Sequence, residues 1–143
     1  MFTLELYVAA TPAQAFAVIA DFASAPRWYS AVQSVARVRG DGGIGTRYAV
    51  RRQLPTGPTT NTVDVTEYVD GRDVTFTSID GPTPFTYRYR IQPAPHGARV
   101  EFEGTISAAG LPAARALGPM AENVFRRGMR ANLGVLKEIL ERQ

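Results

Sequence analysis

The chain has 143 residues, of which 45% are hydrophobic and 20% charged. These values are typical of a globular domain and argue against disorder. The longest apolar runs are too short to cross a bilayer, and the chain does not open with a signal segment. Cysteine is absent, which excludes disulfides and thiolate chemistry. We therefore expect one domain over residues 1–143, cytoplasmic and without membrane insertion.

The net charge of +3 comes from fifteen arginines and one lysine, Lys137, set against thirteen acidic residues. Arginine suits phosphate recognition, but here the arginines are scattered and many fall on one face of the predicted strands. That distribution indicates a solvated sheet face, so we expect no nucleic-acid partner.

The first predicted elements are a strand and two short helices. Apolar residues alternate from Phe2 to Val8, which predicts a half-buried strand. Thr11 to Gln14 have the pattern of a capping box with Pro12 at the first helical position, so a helix should begin there. Pro26 should interrupt this region, and a second short helix is expected to begin at Arg27.

The middle of the chain then changes to strands separated by Gly, Pro and Asp turn signals. The connections are short, so neighbouring strands should form antiparallel hairpins. The predicted strands cover residues 33–39, 45–54, 60–69, 73–79, 84–92 and 98–107.

The two faces of these strands differ in polarity. One face carries valines and aromatic rings, whereas the other carries Arg, Thr and acidic residues, and such a sheet needs a single covering layer. We expect Glu67 on the apolar parity but solvated at a strand end. The C-terminal region should supply the cover. It has a helical start at Leu111–Pro112, a bend at Gly118–Pro119 and a helix over residues 119–142, about 36 Å long.

A helical wheel of this last helix places Asn132 near the centre of the apolar face. A buried amide must find a polar partner, and both a bond to strand backbone or a tyrosine and a bond to a ligand oxygen remain open. Gly128 lies one turn earlier, where it either lets a ligand or strand approach or is a tolerated packing feature. The predicted face comprises Leu117, Val124, Phe125, Gly128, Val135, Leu136 and Ile139.

With TPAQAFAVIADFASAPRWYSAV near the start, GDGGIGTRY after the second strand and RANLGVLKEILE at the end, the chain resembles the polyketide cyclase/dehydrase-like family. This family belongs to the START-like, helix-grip superfamily. The resemblance implies an α+β fold, a seven-stranded curved antiparallel sheet wrapped around a long C-terminal helix with two short helices after strand 1. Members of the superfamily bind lipids, quinones, plant hormones or aromatic polyketides between sheet and helix. A minority catalyse cyclisation or dehydration, and some are ribosome-associating toxins.

The inward-facing residues suggest a mostly apolar cavity with a few polar contacts, as small-molecule sites have. Large aromatic rings supply the walls, and Arg52 and Asn61 share the inward alternation of the neighbouring valines. The same aromatic residues would serve equally as ordinary core. The predicted ligand-binding residues are Trp28, Tyr48, Arg52, Asn61, Phe76, Tyr87, Tyr89, Phe102, Val124, Gly128 and Asn132.

Catalytic and cofactor motifs are weak. The single histidine, His96, falls in a Pro/Gly-rich turn and is expected at the surface. No cluster of metal ligands or nucleophile elbow is evident. The segment Gly40–Gly45 is glycine-rich but lacks the Lys-Ser/Thr and the helix that a phosphate loop needs, so we expect a flexible hairpin at the pocket mouth. We predict no catalytic residue, metal or cofactor.

Three functions stay open from the sequence. The first is a binding or carrier protein for an apolar or aromatic small molecule, acting as a monomer or homodimer. The second is a polyketide cyclase, aromatase or dehydratase, in which Arg52, Tyr48, Tyr87 and Asn132 would polarise carbonyls. The third is a toxin-like protein that binds the ribosome or another macromolecule through its outer arginines.

Overall fold

The structure, a computed structural model, describes residues 1–54, 57–107 and 120–143. All seven predicted strands are present, with ends displaced by up to three residues. The predicted helical start at Leu111–Pro112, the bend at Gly118–Pro119 and Leu117 lie outside the described residues. The elements are β1 (Phe2–Val8), α1 (Pro12–Ile19), the 3-10 helix α2 (Phe22–Arg27), β2 (Val32–Arg39), β3 (Arg47–Leu54), β4 (Gly57–Val69), β5 (Asp73–Ser78), β6 (Phe85–Ala94), β7 (Gly97–Ile106) and α3 (Met120–Glu141).

The strands form one antiparallel sheet in the order β1-β7-β6-β5-β4-β3-β2. Every connection from β2 to β7 joins neighbours, and β1 pairs with β7 to complete the sheet. The C-terminal end of α3 is bound to β1. Lys137 Nζ donates to the Tyr7 carbonyl at 2.9 Å, and Glu141 accepts the Ala9 N–H at 2.8 Å. The predicted helix-grip architecture is confirmed.

The start of α1 is as predicted. Thr11 Oγ1 accepts the Gln14 N–H at 3.1 Å and Gln14 Oε1 accepts the Thr11 N–H at 2.9 Å, which closes the capping box. The prediction of a second helix beginning at Arg27 is wrong. Asp21 caps α2 by accepting the Ala23 N–H, so this helix begins at Phe22 and ends where it was expected to begin.

The predicted inner and outer faces of the sheet are confirmed over most of their length. Val63 and Val65 are fully buried, as their alternation requires. A β-bulge then interrupts β4, because Val65 pairs with Phe76 whereas Glu67 pairs with Thr75. The extra residue turns Glu67 to the outer face, where it accepts a hydrogen bond from Thr75 Oγ1 at 3.0 Å. The expected inward parity of Glu67 is therefore wrong.

The apolar face of α3 is rotated from the predicted one by about 100°, judged at 100° per residue. Val124 and Val135 are 51% and 41% exposed, so they lie at the margin and not on the buried stripe. Four residues spaced four, three and four positions apart are buried more deeply than these two valines and form the buried stripe of the helix. Asn132 lies at the edge of this stripe. The four residues are Met129, Leu133, Leu136 and Leu140.

Among the helices in the described ranges, none is long and apolar enough to cross a membrane.

Candidate ligand-binding site

A cavity of about 220 Å³ lies between the inner face of the sheet and the N-terminal half of α3. Its floor comes from β3, β6 and β7, one wall from α2 and the loop after it, and its roof from α3. The lining residues are Phe22, Tyr29, Ser30, Ala31, Val32, Arg52, Gln53, Leu54, Phe85, Tyr87, Ile106, Val124, Phe125, Gly128, Met129 and Asn132. The walls are mostly apolar, with few polar groups, as small-molecule sites usually are.

Arg52 is the only charged residue among the described lining residues, and it is 7% exposed. The β3 alternation that buries Val50 also points Arg52 inward. Its Nη2 donates to Thr83 Oγ1 at 2.5 Å, and its guanidinium carbon stands 5.4 Å from the centre of the Phe85 ring. Its Nη1 has no hydrogen-bond partner among the residues the structure describes. Burial lowers the Arg52 pKa.

Three aromatic rings stack along one side of the cavity. Phe85 and Tyr87 have ring centres 4.3 Å apart at an interplanar angle of 26°, and Tyr29 stacks on Tyr87 at 6.1 Å and 13°. Burial raises the pKa of Tyr87 to about 12, although the nearby Arg52 opposes this. The Tyr29 hydroxyl is hydrogen-bonded to that of Tyr89, and burial raises both pKa values well above 10. These hydroxyls therefore stay protonated at neutral pH.

The α3 side of the cavity combines open space with one amide. Gly128 is exposed, and a Cβ atom added there would meet no described atom within 4 Å, so this turn of the helix borders the open side of the cavity. Asn132 is 9% exposed, and its Oδ1 accepts the Ser30 N–H at 3.1 Å. The amide thus has a structural partner, which is loop backbone and not a strand or a tyrosine. Val124 lines the outer rim.

Five predicted site residues therefore come together around the cavity, and six lie elsewhere on the inner side. Their ligand-binding role stays a prediction. The five that line the cavity are Arg52, Tyr87, Val124, Gly128 and Asn132. The six outside its lining are Trp28, Tyr48, Asn61, Phe76, Tyr89 and Phe102.

The aromatic members of the second group fill the core. Trp28 contacts Tyr29 and Tyr89 and donates its Nε1–H to Ser24 Oγ at 3.1 Å. Phe102 packs against Tyr89 at 5.1 Å between ring centres. Tyr48 and Phe76 are equally buried, under Phe22.

Asn61 differs from these rings because it is polar. It is 1% exposed, and neither of its amide atoms has a partner in the described part of the chain. It pairs with Val50 while Arg52 pairs with Thr59, so Asn61 and Arg52 are diagonal neighbours on the inner face.

Eleven of the sixteen described lining residues were not predicted as site residues, among them Tyr29, Phe85 and Met129. Phe85 shares the inward parity of Tyr87, but the prediction did not include it in the site. Tyr29 lies in the loop after α2, where no periodicity indicates which way a side chain points. Its aromatic pair with Trp28 was the one available signal. Met129 was missed because the predicted face of α3 was centred elsewhere.

A larger cleft of about 780 Å³ lies between α1 and the strands β2 to β4, where Tyr48 lines it, and no described residue of α3 contributes to it. It is lined by part of the glycine-rich segment, by α1 and by the turn at Asp70 and Gly71. The expectation that Gly40–Gly45 forms the mouth of the sheet–helix pocket is therefore wrong. Its residues Asp41, Gly42 and Gly43 border this separate cleft. Thr46 Oγ1 accepts the Gly42 N–H at 2.8 Å, which ties the segment to β3.

Catalytic and metal-binding groups are scarce around the cavity. No histidine, aspartate or glutamate is among its described lining residues. His96 is exposed in the β6–β7 turn, as predicted. Within the described ranges there is no group of three or more His, Cys, Asp or Glu residues that could hold a metal ion.

Several outer arginines are paired with carboxylates. Arg47 donates to both oxygens of Asp64 at 2.8 and 2.9 Å, and Arg99 contacts Glu5 at 2.6 Å. Hydrogen bonds from these arginines lower the pKa values of Asp64 and Glu5. Part of the outer positive charge is thus neutralised within the sheet.

The chain thus has a curved sheet that grips a terminal helix, with a cavity between the two, and comparison to known families agrees with this arrangement. The model of the family described as polyketide cyclase / dehydrase and lipid transport matches residues 2–141. The chain belongs to this family. No curated protein sequence matched the chain.

Solved structures with the same fold come from several contexts. A protein from Thermus thermophilus, TTHA0849, aligns with a TM-score of 0.79 at 18% identity, covering 95% of this chain and 93% of that one. The di-domain ARO/CYC StfQ from the steffimycin biosynthetic pathway aligns at 0.74 and 17%, covering 99% of this chain and 50% of that one. Ara h 8.0201 aligns at 0.71 and 16%, covering 99% and 97%. At these identities the likeness shows the fold alone.

Proposed function

We propose that this protein binds or carries an apolar or aromatic small molecule in the cavity between the sheet and α3. The observation that carries the proposal is the cavity itself, apolar on most sides and lined by the stacked rings of Phe85, Tyr87 and Tyr29. Membership of a family that includes lipid transport supports it. A cytoplasmic location and a monomeric or homodimeric state are part of the same proposal.

Carriage is favoured over catalysis by what surrounds the cavity. Proton transfer needs a group that titrates near neutral pH, and the described lining residues include no histidine or carboxylate. The lining tyrosines have raised pKa values, so they stay protonated at neutral pH and are not present as phenolates that could accept a proton. A ligand would meet hydrogen-bond donors here, and the described part of the lining offers no proton acceptor suited to catalysis.

The polyketide cyclase, aromatase or dehydratase alternative rests on one observation. Arg52 Nη1 has no partner among the described residues and belongs to a guanidinium over the Phe85 ring at the cavity, and such a donor could stabilise charge developing on a carbonyl oxygen. An enzyme would lose more turnover than affinity on Arg52→Gln, because catalysis needs contacts that strengthen in the transition state. The toxin-like alternative receives less support, since Arg47 and Arg99 are already paired.

The experiment that tests carriage fills the cavity from α3. The neutral fluorescent probe N-phenyl-1-naphthylamine should brighten and saturate with the wild-type protein. Gly128→Phe should abolish this signal while the protein stays folded, because the added ring enters the space above the helix. Gly134→Phe is the matched control, since Gly134 is also on α3 with open space around it but does not line the cavity.

Two results would overturn the proposed function. One is a wild-type signal no stronger than that of a protein without a cavity. The other is equal probe binding by the Gly128→Phe and Gly134→Phe variants, which would place the probe elsewhere.

A further inference from the structure

Arg52 is a buried positive charge without a counter-ion in its own chain. The sequence has thirteen acidic residues, all within the described ranges, and none of them lines the cavity. Among the ion pairs of the described residues, none includes Arg52. The stretches 55–56 and 108–119 contain no Asp or Glu in their sequence. The chain therefore offers no carboxylate to this guanidinium.

Such an arrangement lowers the stability of the ligand-free protein and can raise its affinity for an anionic ligand. A buried charge without a partner is strongly unfavourable, and an arriving anion removes that penalty. Thr83 and the Phe85 ring hold one side of the guanidinium, and Nη1 is a donor without a partner in the described part of the chain. The rest of the described cavity wall is mostly apolar and aromatic, so the anion should sit at the end of an apolar body.

We infer that the ligand is an apolar or aromatic carboxylic acid whose carboxylate pairs with Arg52. This inference rests on the proposed function and adds the chemical class of the ligand. A carboxylate fits better than a phosphate, because a phosphate brings three strong acceptor oxygens and close to two charges. Among the described residues, a single cation faces this cavity of about 220 Å³. The stacked rings favour a flat body over a flexible chain.

The test compares probes that share one body and differ in the head group. Calorimetric titrations would use 2-naphthoate, the neutral 2-naphthamide and 2-naphthyl phosphate against the wild-type protein, Arg52→Gln and Arg52→Lys. The wild type should bind 2-naphthoate at least tenfold more tightly than 2-naphthamide. Arg52→Gln should bring this ratio close to one, whereas Arg52→Lys should keep part of it. Arg51→Gln, a neighbour exposed on the outer face, is the matched control and should leave the ratio unchanged.

Each alternative outcome has a distinct meaning. Equal wild-type affinity for naphthoate and naphthamide overturns the inference while leaving the cavity and its proposed function in place. Tighter binding of the phosphate overturns the carboxylate assignment. Failure of all three probes together with N-phenyl-1-naphthylamine overturns the proposed function instead. The wild-type ratio alone decides the matter if Arg52→Gln does not fold.

Discussion

The inner face of the sheet has two parts with the same strand pattern and different contents. In the first, around Tyr89 and Phe102, aromatic side chains fill the space completely and both residues are fully buried. In the second, around Arg52 and Tyr87, the same alternation points side chains into a cavity. Here Arg52 Nη1 has no partner among described residues.

The covering elements make the difference. The α2 region places Phe22 on Phe76 with ring centres 4.7 Å apart, and Trp28 edge-on to Tyr89 at 6.1 Å. Over the second part the cover is the turn of α3 at Gly128, which has no side chain to fill the gap. Strand alternation thus determines which residues point inward. Whether they pack or line a cavity depends on the helix above them.

The largest expected effect comes from charging the filled part. Phe102→Asp places an unpaired carboxylate at a fully buried position among Phe2, Tyr87 and Tyr89. We expect a loss of about 4 kcal/mol or more, or complete unfolding, measured by urea denaturation.

Thr105→Asp is the control for this prediction. Thr105 lies on the same strand but is exposed on the outer face, so the change should cost less than about 0.5 kcal/mol. Comparable destabilisation by both variants would contradict the assignment of the two faces.

A smaller effect is expected at the boundary of the two parts. Asn132→Leu removes the acceptor of the Ser30 N–H and leaves that donor unpaired in a partly buried place. The free energy of unfolding should fall by about 1–2 kcal/mol, while the affinity for N-phenyl-1-naphthylamine should change less than threefold. Asn123→Leu, an exposed position on α3, controls for the change in helix propensity. A stable Asn132→Leu variant with a tenfold loss of affinity would assign the amide to the ligand.

The sequence predicted the architecture because the relevant signals are local. The capping box of Thr11 and Gln14 predicts the start of α1, and the alternation around Val63 predicts the two faces of the sheet. The errors arise where the local structure depends on contacts between residues that are far apart in the sequence. The bulge that turns Glu67 outward depends on the pairing of β4 with β5, and the rotation of α3 depends on which side chains the sheet accepts.

The candidate site was predictable in part for the same reason. Arg52 and Tyr87 were identified by their inward parity alone. Parity could not separate them from Phe76 or Phe102, because all four point inward. To distinguish cavity residues from core residues, one needs the distance between α3 and the sheet, and no local sequence pattern contains that distance. Tyr29 was missed because a loop residue has no parity.

The smallest expected effect is at Asn61, where a substitution should raise the stability and not lower it. Asn61 belongs to the filled part of the inner face, next to its boundary with the cavity part. Its amide oxygen and nitrogen are both buried without partners among described residues, so a leucine of similar size should remove a penalty and create none. Asn61→Leu should keep or raise the melting temperature. It should leave the affinity for 2-naphthoate within twofold, because Asn61 does not line the cavity.

Asn61→Asp is the companion variant. It places a carboxylate diagonal to Arg52, where it could supply the missing counter-ion. Binding of 2-naphthoate should then weaken more than binding of 2-naphthamide. A loss of stability by about 1 kcal/mol or more in the leucine variant would mean that the amide has a polar partner, and an accompanying loss of naphthoate affinity would extend the site to this residue.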